Sequence, residues 1–469
     1  MVAIDNPAQA HESAVQRLQA SYAAIPTGQT VRLAKSTSNL FRPRDPRSAP
    51  GLDVSGLRGV ISVDPVARTA DVQGMCTYED LVDATLASGL MPYVVPQLKT
   101  ITLGGAVSGL GIESTSFRNG LPHESVIEMD ILTGDGRLVT ARPDGDHADL
   151  FAAFPNSYGS LGYAVRLRIA LEQVSPYVAL RHVRFDDLDE ACHAVETITA
   201  DRSWEDEPVD FLDGVMFSTD ETYLTLGRWS PDVAGSGLLS PSDYTGQQIY
   251  YRSLQQRSRD VLGVRDYLWR WDTDWFWCSG AFGAQHPLVR RVWPGRWRRS
   301  DVYHRIVGVE NRYQVMARLD RWRGRPSQER VVQDVELPID ETAGFLRWFA
   351  DHVAMTPVWL CPLRLREADG PGSARHWPLY PLHAGQIYVN VGFWGQVPIA
   401  PGRADGDVNR LVEAAVADRG GHKSLYSDAY YDEESFAAIY GGPSYELAKK
   451  TYDPGRRLTG MYEKAVGRR

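Results

Sequence analysis

Hydrophobic and polar positions alternate in short segments over the first 175 residues, a pattern typical of small helices and strands joined by turns. Apolar residues at helical spacing predict a leading helix over residues 9–23. Thr77 precedes a second helical segment, and Asp80 three positions later completes the signature of an N-terminal cap. Two β-rich runs flank Asp135 and Gly136 and predict a hairpin. Together these elements predict a compact α+β domain.

The pattern changes after residue 175, where longer strand-like runs alternate with amphipathic helical segments. Residues 177–185 are strand-like and precede a helical run, and residues 330–339 are followed by another. Such an alternation predicts a sheet covered by helices on one face, within an α+β fold class. We divide the chain into a first domain at residues 1–175, a cap domain at 176–405 and a C-terminal segment at 406–469.

Composition and charge restrict the class of protein further. Hydrophobic residues make up 43% and charged residues 23% of the 469 positions, as in ordinary globular proteins. No apolar run reaches the ~18 residues of a membrane span, and the first residues lack the features of a signal peptide. The formal net charge of −9 argues against nucleic acid as a partner. We expect a cytoplasmic protein.

The cysteines are widely separated along the chain. Their spacing indicates neither a disulfide framework nor a zinc site, which favours a reducing compartment and predicts no metal: Cys76, Cys192, Cys278 and Cys361. Cys361, in "WLCPL", lacks the partners of a known catalytic signature and is interpreted as a buried strand residue.

Glycine and hydroxyl residues crowd into "TLGGAVSGLGIESTS", Thr102–Ser116. Consecutive backbone amides with no side chain in front of them suit a phosphate group, and a glycine-rich turn between strands is the alternative. A nicotinamide-type Rossmann site is excluded, because no G-x-G-x-x-G follows the first strand with an acidic residue about 20 positions later. A Walker loop is excluded because the sequence contains no G-K-[ST].

The order of these parts resembles the FAD-binding flavoproteins of the vanillyl-alcohol oxidase, or PCMH-type, superfamily. Within it the chain is most similar to the sterol side-chain reductase family, 24-dehydrocholesterol reductase and its bacterial methylene-fatty-acyl relatives. The segments that carry the resemblance are "TLGGAVSGLGIESTSFRNGL", "DLFAAFPNSYGSLGYAVRLRI", "VVQDVELPI", "TPVWLCPLRL" and "SLYSDAYYDEESF". The resemblance implies a two-subdomain FAD-binding domain, a cap, and a C-terminal segment that packs back at the flavin. The membrane anchor of the animal reductases has no counterpart in this sequence.

The resemblance also implies which residues contact FAD. Pyrophosphate and flavin contacts fall on Lys35, Ser36, Ser38, Asn39, Thr102, Gly104, Gly105, Gly109, Ser114, Gly120 and Gly162, and the backbone of Val126 and Val165 lies near the adenine. No His lies between His11 and His123, and no Cys between Cys76 and Cys192. We therefore expect the FAD to be bound non-covalently.

The family reaction reduces an isolated carbon–carbon double bond with a hydride that NADPH first gives to FAD. An alkene without a carbonyl group needs a proton donor for its second carbon. The candidates are Glu113, Tyr426, Asp428 and Tyr430; the last three match the family motif, whereas His422 does not. If the motif is a strand, its alternate residues share one face, and we expect a tyrosine to donate with Asp428 orienting it. A core or rim position is the alternative for each tyrosine.

Two lipid substrates fit the resemblance, a sterol side chain and the methylene branch of a fatty acyl chain. Only six of the 50 basic residues are Lys, a bias typical of high-GC bacteria, in which methyl-branched acyl chains are common. We therefore favour conversion of 10-methylenestearoyl to 10-methylstearoyl groups, with a functional link to a lipid methyltransferase. A delta(24)-sterol reductase is the alternative. A sugar or lactone oxidase is disfavoured, because the basic pattern of those enzymes near the flavin is replaced by "HKSLYS".

Tryptophan and arginine are concentrated between residues 268 and 305. The cluster comprises Trp269, Trp271, Trp275, Trp277, Trp293 and Trp297 with Arg290, Arg291, Arg296, Arg298 and Arg299. Tryptophan favours the membrane–water interface and arginine favours anionic headgroups, so we expect peripheral contact with the inner face of the membrane. The alternative is that the tryptophans form the core of the cap and the arginines are solvated.

Overall fold

The protein is described by a computed structural model over residues 6–35, 41, 51–234, 237–313, 326–368, 370 and 373–466. The strands are β1 Val60–Asp64, β2 Thr69–Gln73, β3 Leu90–Pro92, β4 Val126–Leu132, β5 Leu138–Ala141, β6 Tyr163–Gln173, β7 Tyr177–Phe185, β8 Ser203–Trp204, β9 Glu207–Pro208, β10 Phe211–Ser218, β11 Glu221–Ser230, β12 Arg259–Gly263, β13 Gln328–Pro338, β14 Val358–Leu363, β15 Tyr388–Pro398 and β16 His422–Lys423. The α-helices are Pro7–Ala23, Tyr78–Leu86, Leu103–Ser108, Ser116–Asn119, Ala148–Ala153, Leu188–Asp201, Tyr250–Ser253, Val264–Leu268, Pro287–Val292, Ser300–Tyr313, Ile339–His352, Asp407–Ala417, Glu433–Ile439, Gly442–Tyr452 and Met461–Ala465.

The first sheet is antiparallel and contains six of the described strands. Its order is β1-β2-β6-β4-β5, and β3 pairs with the far end of β6. The predicted hairpin is confirmed as β4 and β5, with Gly136 at φ 87°, a left-handed conformation that glycine adopts without strain. The predicted cap is also confirmed, because the Thr77 side chain accepts a hydrogen bond from the Asp80 amide.

The second sheet is antiparallel and contains eight of the described strands, in the order β12-β7-β11-β10-β14-β15-β13-β16. Helices Leu188–Asp201, Ile339–His352 and Asp407–Ala417 cover one face, where side chains such as Leu212, Val335 and Phe349 form a buried core. The predicted α+β architecture, with a cap sheet covered by helices on one face, is therefore confirmed.

The other face of the cap sheet points toward the first domain and carries polar residues. Along β14, Val358 and Leu360 face the helices, whereas Trp359 and Cys361 face the first domain. Cys361 is fully buried, as expected for a strand cysteine. The same alternation on β13 turns Asp334 away from the helical core and toward the first domain. The functional site forms on this face.

The C-terminal segment contacts both the cap sheet and the first domain. Its helix Asp407–Ala417 packs on the cap sheet, and β16 pairs with β13. The later helices return to the first domain: the Lys449 ammonium donates to the Ser160 carbonyl at 2.8 Å, and the Lys464 ammonium donates to the Gly159 carbonyl at 2.8 Å.

The condition that Tyr426–Tyr430 is a strand, on which the shared face of its residues depended, is not met. β16 ends at Lys423, and the structure describes every residue from Ser424 to Asp432 without assigning a strand. The backbone polar groups of this segment form hydrogen bonds with residues outside the segment instead. The Tyr430 amide donates to the Glu413 carboxylate at 3.0 Å, and the Tyr426 carbonyl accepts from the Phe41 amide at 3.0 Å. The argument that one strand face groups Tyr426, Asp428 and Tyr430 therefore fails.

Most of the Trp/Arg cluster is internal. Trp271 and Trp275 are buried, and the buried Arg290 guanidinium lies 2.6 Å from the Asp274 carboxylate. Arg299 forms an ion pair with Glu79 at 2.7 Å. These residues hold the segment in the cap core and against the first domain. None of the described helices is both long enough and apolar enough to cross a bilayer.

Candidate active site

A cleft of about 1180 Å³, including solvent at its mouth, lies between the first domain and the cap sheet. The first domain contributes Lys35, Phe41, residues 96–98, 100–102 and 110–112, Gly105, Ser108 and Tyr158. The cap sheet contributes Trp359 and Trp394. Trp275, Phe276 and Cys278 form a third side of the cleft. The walls are mainly apolar, and Tyr426 from the C-terminal segment completes the lining.

The glycine stretch forms one wall of the cleft through helix Leu103–Ser108. The amides of the first helical turn are bound internally: Leu103 donates to Cys76, Gly104 to Gly74, and Gly105 to the Thr102 hydroxyl, at 2.9, 2.9 and 3.2 Å. Glycine is required for this packing, since a Cβ on Gly104 would lie 2.7 Å from the Gly74 carbonyl oxygen.

Gly105 differs from Gly104 because it faces the cleft. A Cβ at Gly105 would meet only the Thr102 hydroxyl within 4 Å, at 2.8 Å, and otherwise would project into the cleft. The hydroxyls of Thr100 and Ser108 and the Lys35 ammonium border the same space. Because the amides of residues 103–105 are bound internally, they do not form the free amide nest expected for a phosphate. The fit to FAD rests instead on the open space in front of Gly105 beside Thr100, Ser108 and Lys35.

The predicted FAD contacts fall into three groups. Lys35, Thr102 and Gly105 line the cleft. Ser36, Ser38 and Asn39 lie outside the described residues. The remainder are not among the residues that line the cleft: Gly104, Gly109, Ser114, Gly120, Val126, Gly162 and Val165. Gly120 and Gly162, with φ of 70° and 154°, pack against Glu124 and Ile131, and their contacts with FAD stay predictions.

Glu113 lies in a buried network behind the cleft wall. Its carboxylate accepts hydrogen bonds from the Arg270 guanidinium at 2.7 Å and the Ser114 hydroxyl at 2.6 Å. The same guanidinium donates to Asp213 of β10 at 2.9 Å. Burial raises the pKa of Glu113, and Arg270 opposes that change. At 1% exposure and outside the cleft lining, Glu113 ties the glycine stretch to the cap; its catalytic role stays a prediction.

Of the three motif residues, Tyr426 is the one that lines the cleft. Asp428 lies 3.4 Å from the Arg330 guanidinium, and the ring of Tyr430 packs under Arg410 at 4.8 Å. Asp428 therefore has Arg330 as a charged partner instead of orienting a neighbouring tyrosine, and Tyr430 packs against the helix that begins at Asp407. Their predicted catalytic roles remain untested.

A carboxyl group that sequence reasoning did not select, Asp334, lies beside Tyr426. The Tyr426 hydroxyl accepts a hydrogen bond from the Trp394 indole at 2.8 Å and shares another with the Asp334 carboxyl group. The Asn390 side-chain amide donates to the Oδ1 atom of that carboxyl group at 3.2 Å. Burial raises the pKa of Asp334 to about 7. One feature of the sequence could have identified Asp334: it is a polar residue at an inward-facing position of the apolar run "VVQDVELPI".

His422 is buried beneath this pair. Its imidazole lies 3.4 Å from the Glu336 carboxyl group, and burial lowers its pKa to about 3. The imidazole is therefore neutral at physiological pH. Among the described residues, no group of three or more His, Cys, Asp or Glu side chains is arranged to hold a metal ion.

Cys278 is a cleft residue from a distant part of the chain. Burial raises the pKa of its thiol to about 12, so the nucleophilic thiolate is scarce at neutral pH. We therefore expect acid precipitation of the purified protein to release all its flavin into a yellow supernatant. A yellow pellet would contradict this prediction, and a Cys278→Ser variant would then show whether this thiol is the attachment point.

The comparisons with known proteins agree with this geometry. Residues 15–142 match the family described as "FAD binding domain". The chain is 24% identical to the Delta(24)-sterol reductase of Rattus norvegicus over 418 residues, which cover 87% of this chain and 76% of that protein. The Arabidopsis thaliana Delta(24)-sterol reductase is 24% identical over 451 residues, covering 89% and 77%.

A third relative matches only part of the chain. Cytokinin dehydrogenase 7 of Oryza sativa subsp. japonica is 32% identical over 158 residues, which cover 34% of this chain and 30% of that protein. The similarity to the sterol reductases extends instead across both sheets. The chain therefore carries an FAD-binding domain and is similar over most of its length to the Delta(24)-sterol reductases.

Proposed function

We propose that the protein uses NADPH and FAD to reduce an isolated carbon–carbon double bond in a lipid. The observation that carries the proposal is the mainly apolar cleft between an FAD-binding domain and the cap, with the Asp334 and Tyr426 pair at its edge. The relatives that match most of the chain are named as reductases of a sterol double bond, which supports the same class of reaction.

FAD, when bound, supplies the hydride that reduces one alkene carbon. The protein's own residues then have two tasks. Trp275, Trp359 and Trp394 exclude water from the reacting carbons, which favours an apolar substrate over a sugar. Tyr426 holds a proton at its hydroxyl oxygen, at the edge of the cleft, for the second carbon.

The substrate that we favour is a fatty acyl chain with a methylene branch, 10-methylenestearoyl, reduced to 10-methylstearoyl. The arginine-rich basic residues support a bacterial host for such lipids. The alternative substrate is a sterol side chain, which the names of the relatives favour. A functional link to a lipid methyltransferase belongs to the first alternative only.

The experiment that tests the function is anaerobic mixing of the NADPH-reduced enzyme with lipid extracts. We expect flavin reoxidation together with a mass gain of two hydrogens in one lipid class, which also identifies the substrate. An oxidase would be favoured instead if sugars or lactones reduced the flavin, oxygen reoxidised it rapidly, and lipids did not reoxidise it.

We further propose that the enzyme works at the inner face of the membrane and contacts it through one exposed surface. Leu288, Val292 and Trp297 are 70%, 78% and 49% exposed, and the exposed Arg291 and Arg296 lie among them. Apolar side chains next to arginine suit the headgroup region of an anionic bilayer. Arg298 and Arg299 are bound within the protein and do not belong to this surface.

We expect the double variant Arg291→Glu and Arg296→Glu to weaken co-sedimentation with anionic liposomes. Each arginine near such a surface contributes about 1 kcal/mol, so losing two lowers binding by roughly thirtyfold before added repulsion is counted. The matched control reverses Arg58 and Arg68, which are exposed on the first domain. Equal binding of both variants and the wild type would exclude this surface.

A further inference from the structure

We propose that Asp334 and Tyr426 act as one proton-donating unit, in which Asp334 carries the proton that replaces the one Tyr426 gives to the substrate. The inference rests on the proposed function and adds a catalytic residue to it. Both residues line the cleft: Tyr426 brings a weakly acidic phenol, and Asp334 is the stronger acid beside it.

The two side chains are held in one arrangement. Asp334 lies on β13, opposite Gly392 of β15, and is 8% exposed. A Cβ on Gly392 would overlap the Asp334 carboxyl oxygen, so this glycine makes room for the carboxyl group. Asn390 donates to that carboxyl, and Trp394 donates to the Tyr426 hydroxyl at 2.8 Å. All three supporting residues lie on β15.

This arrangement limits where the phenolic hydrogen can point. The Tyr426 oxygen accepts the Trp394 N–H; its hydroxyl donates to Asp334 while that carboxyl group is ionised, and its oxygen can accept the carboxyl O–H once Asp334 is protonated. Both lone pairs of the oxygen are then used, and its own hydrogen is left to point away from these two donors. Tyr426 lines the cleft, so that remaining direction is open to a substrate.

The proton transfer balances without another reactant. If bound reduced FAD supplies a hydride, with two electrons, to one alkene carbon, the Tyr426 O–H bond would break as a C–H bond forms at the other. The Asp334 proton moves to the Tyr426 oxygen, which leaves Asp334 as a carboxylate. A proton from water then restores the carboxyl group. The net change is the addition of two hydrogens across the double bond.

Burial keeps Asp334 protonated to a higher pH than an exposed carboxyl group. Burial also acts on the titratable groups nearest to it: it raises the pKa of Glu336, Cys361, Tyr380 and Tyr426 and lowers that of His422 to about 3. Among the described residues, the cations of this region include Arg330, which is paired with Asp428, Lys423 of β16, which is paired with Glu413 at 2.8 Å, and Lys35 at the cleft. With a pKa of about 7, the acid form of Asp334 dominates below neutrality.

The test compares Asp334→Asn with Glu336→Gln, which changes a second buried carboxyl group of β13 that does not line the cleft. For Asp334→Asn we expect unchanged FAD reduction by NADPH and reoxidation by lipid slowed by ~10²-fold or more. The wild-type reoxidation rate should fall as pH rises through about 7, and this step should be absent from Asp334→Asn and present in Glu336→Gln.

Infrared titration of the wild type and of Asp334→Asn provides a readout that needs no substrate. A protonated carboxyl band that titrates near pH 7 and is missing from Asp334→Asn is expected. If Asp334 is already ionised at pH 5, or if Asp334→Asn keeps the wild-type rate and pH profile, the proposal is overturned and the lipid reductase function stands. If the wild type reduces no lipid double bond, both are overturned.

Discussion

Replacing Tyr426 by phenylalanine should leave the reduction of FAD by NADPH intact and slow its reoxidation by the lipid by ~10²–10⁴-fold. The change removes one oxygen from the cleft lining and with it the hydrogen bonds to Trp394 and Asp334. The ring and its packing against Phe41 remain, so the cleft keeps its shape. Anaerobic stopped-flow absorbance of the flavin, followed in two separate half-reactions, measures both rates.

Tyr430→Phe is the matched control for this variant. Tyr430 belongs to the same sequence motif, but its ring packs against Arg410 and Gly406 and is not part of the described cleft lining. We expect it to reoxidise at the wild-type rate. A slow Tyr430→Phe beside a normal Tyr426→Phe would reverse the assignment, and two normal variants would direct the search to Glu113.

Substitution of Gly105 by valine should abolish the loading of FAD. The new side chain would meet the Thr102 hydroxyl that caps helix Leu103–Ser108 and would fill cleft space beside it. Overpacking costs roughly 1–3 kcal/mol in proteins. At the upper end of that range FAD binding weakens at least ~100-fold. The flavin absorbance of the purified protein measures the loss.

Gly344→Val separates an effect on the cleft from a general effect of valine. Nothing lies within 4 Å of a Cβ at Gly344, which is in helix Ile339–His352 on the far side of the cap sheet. This variant should load FAD normally. Full loading of Gly105→Val, with circular dichroism showing both variants folded, would contradict a cofactor site at the glycine stretch.

The motif from Tyr426 to Tyr430 shows that alternation in the sequence does not by itself predict which side chains share a face. Alternating residues share a face only where the backbone is extended and paired, and here the backbone is bound by Glu413 and Phe41 instead. The environment of the Trp/Arg cluster likewise depends on distant parts of the chain. Arg299 is paired with Glu79, which is 220 positions away in the sequence, so this pairing could not be predicted from neighbouring residues.

The sequence by itself determined the features that depend on residues a few positions apart. These include the leading helix, the Thr77 cap and the hairpin at Gly136, because a helix cap or a tight turn is satisfied by its own neighbours. The family resemblance added the order of the domains and the cofactor.

Only the tertiary structure decided which polar residues are available for chemistry. Glu113 is paired with Arg270 from 157 positions away, and Asp334 is brought beside Tyr426 by the pairing of β13 with β15 and by the return of the C-terminal segment. The reason is physical: the pKa and the hydrogen bonds of a buried group depend on what surrounds it in space, and those surroundings come from distant parts of the chain.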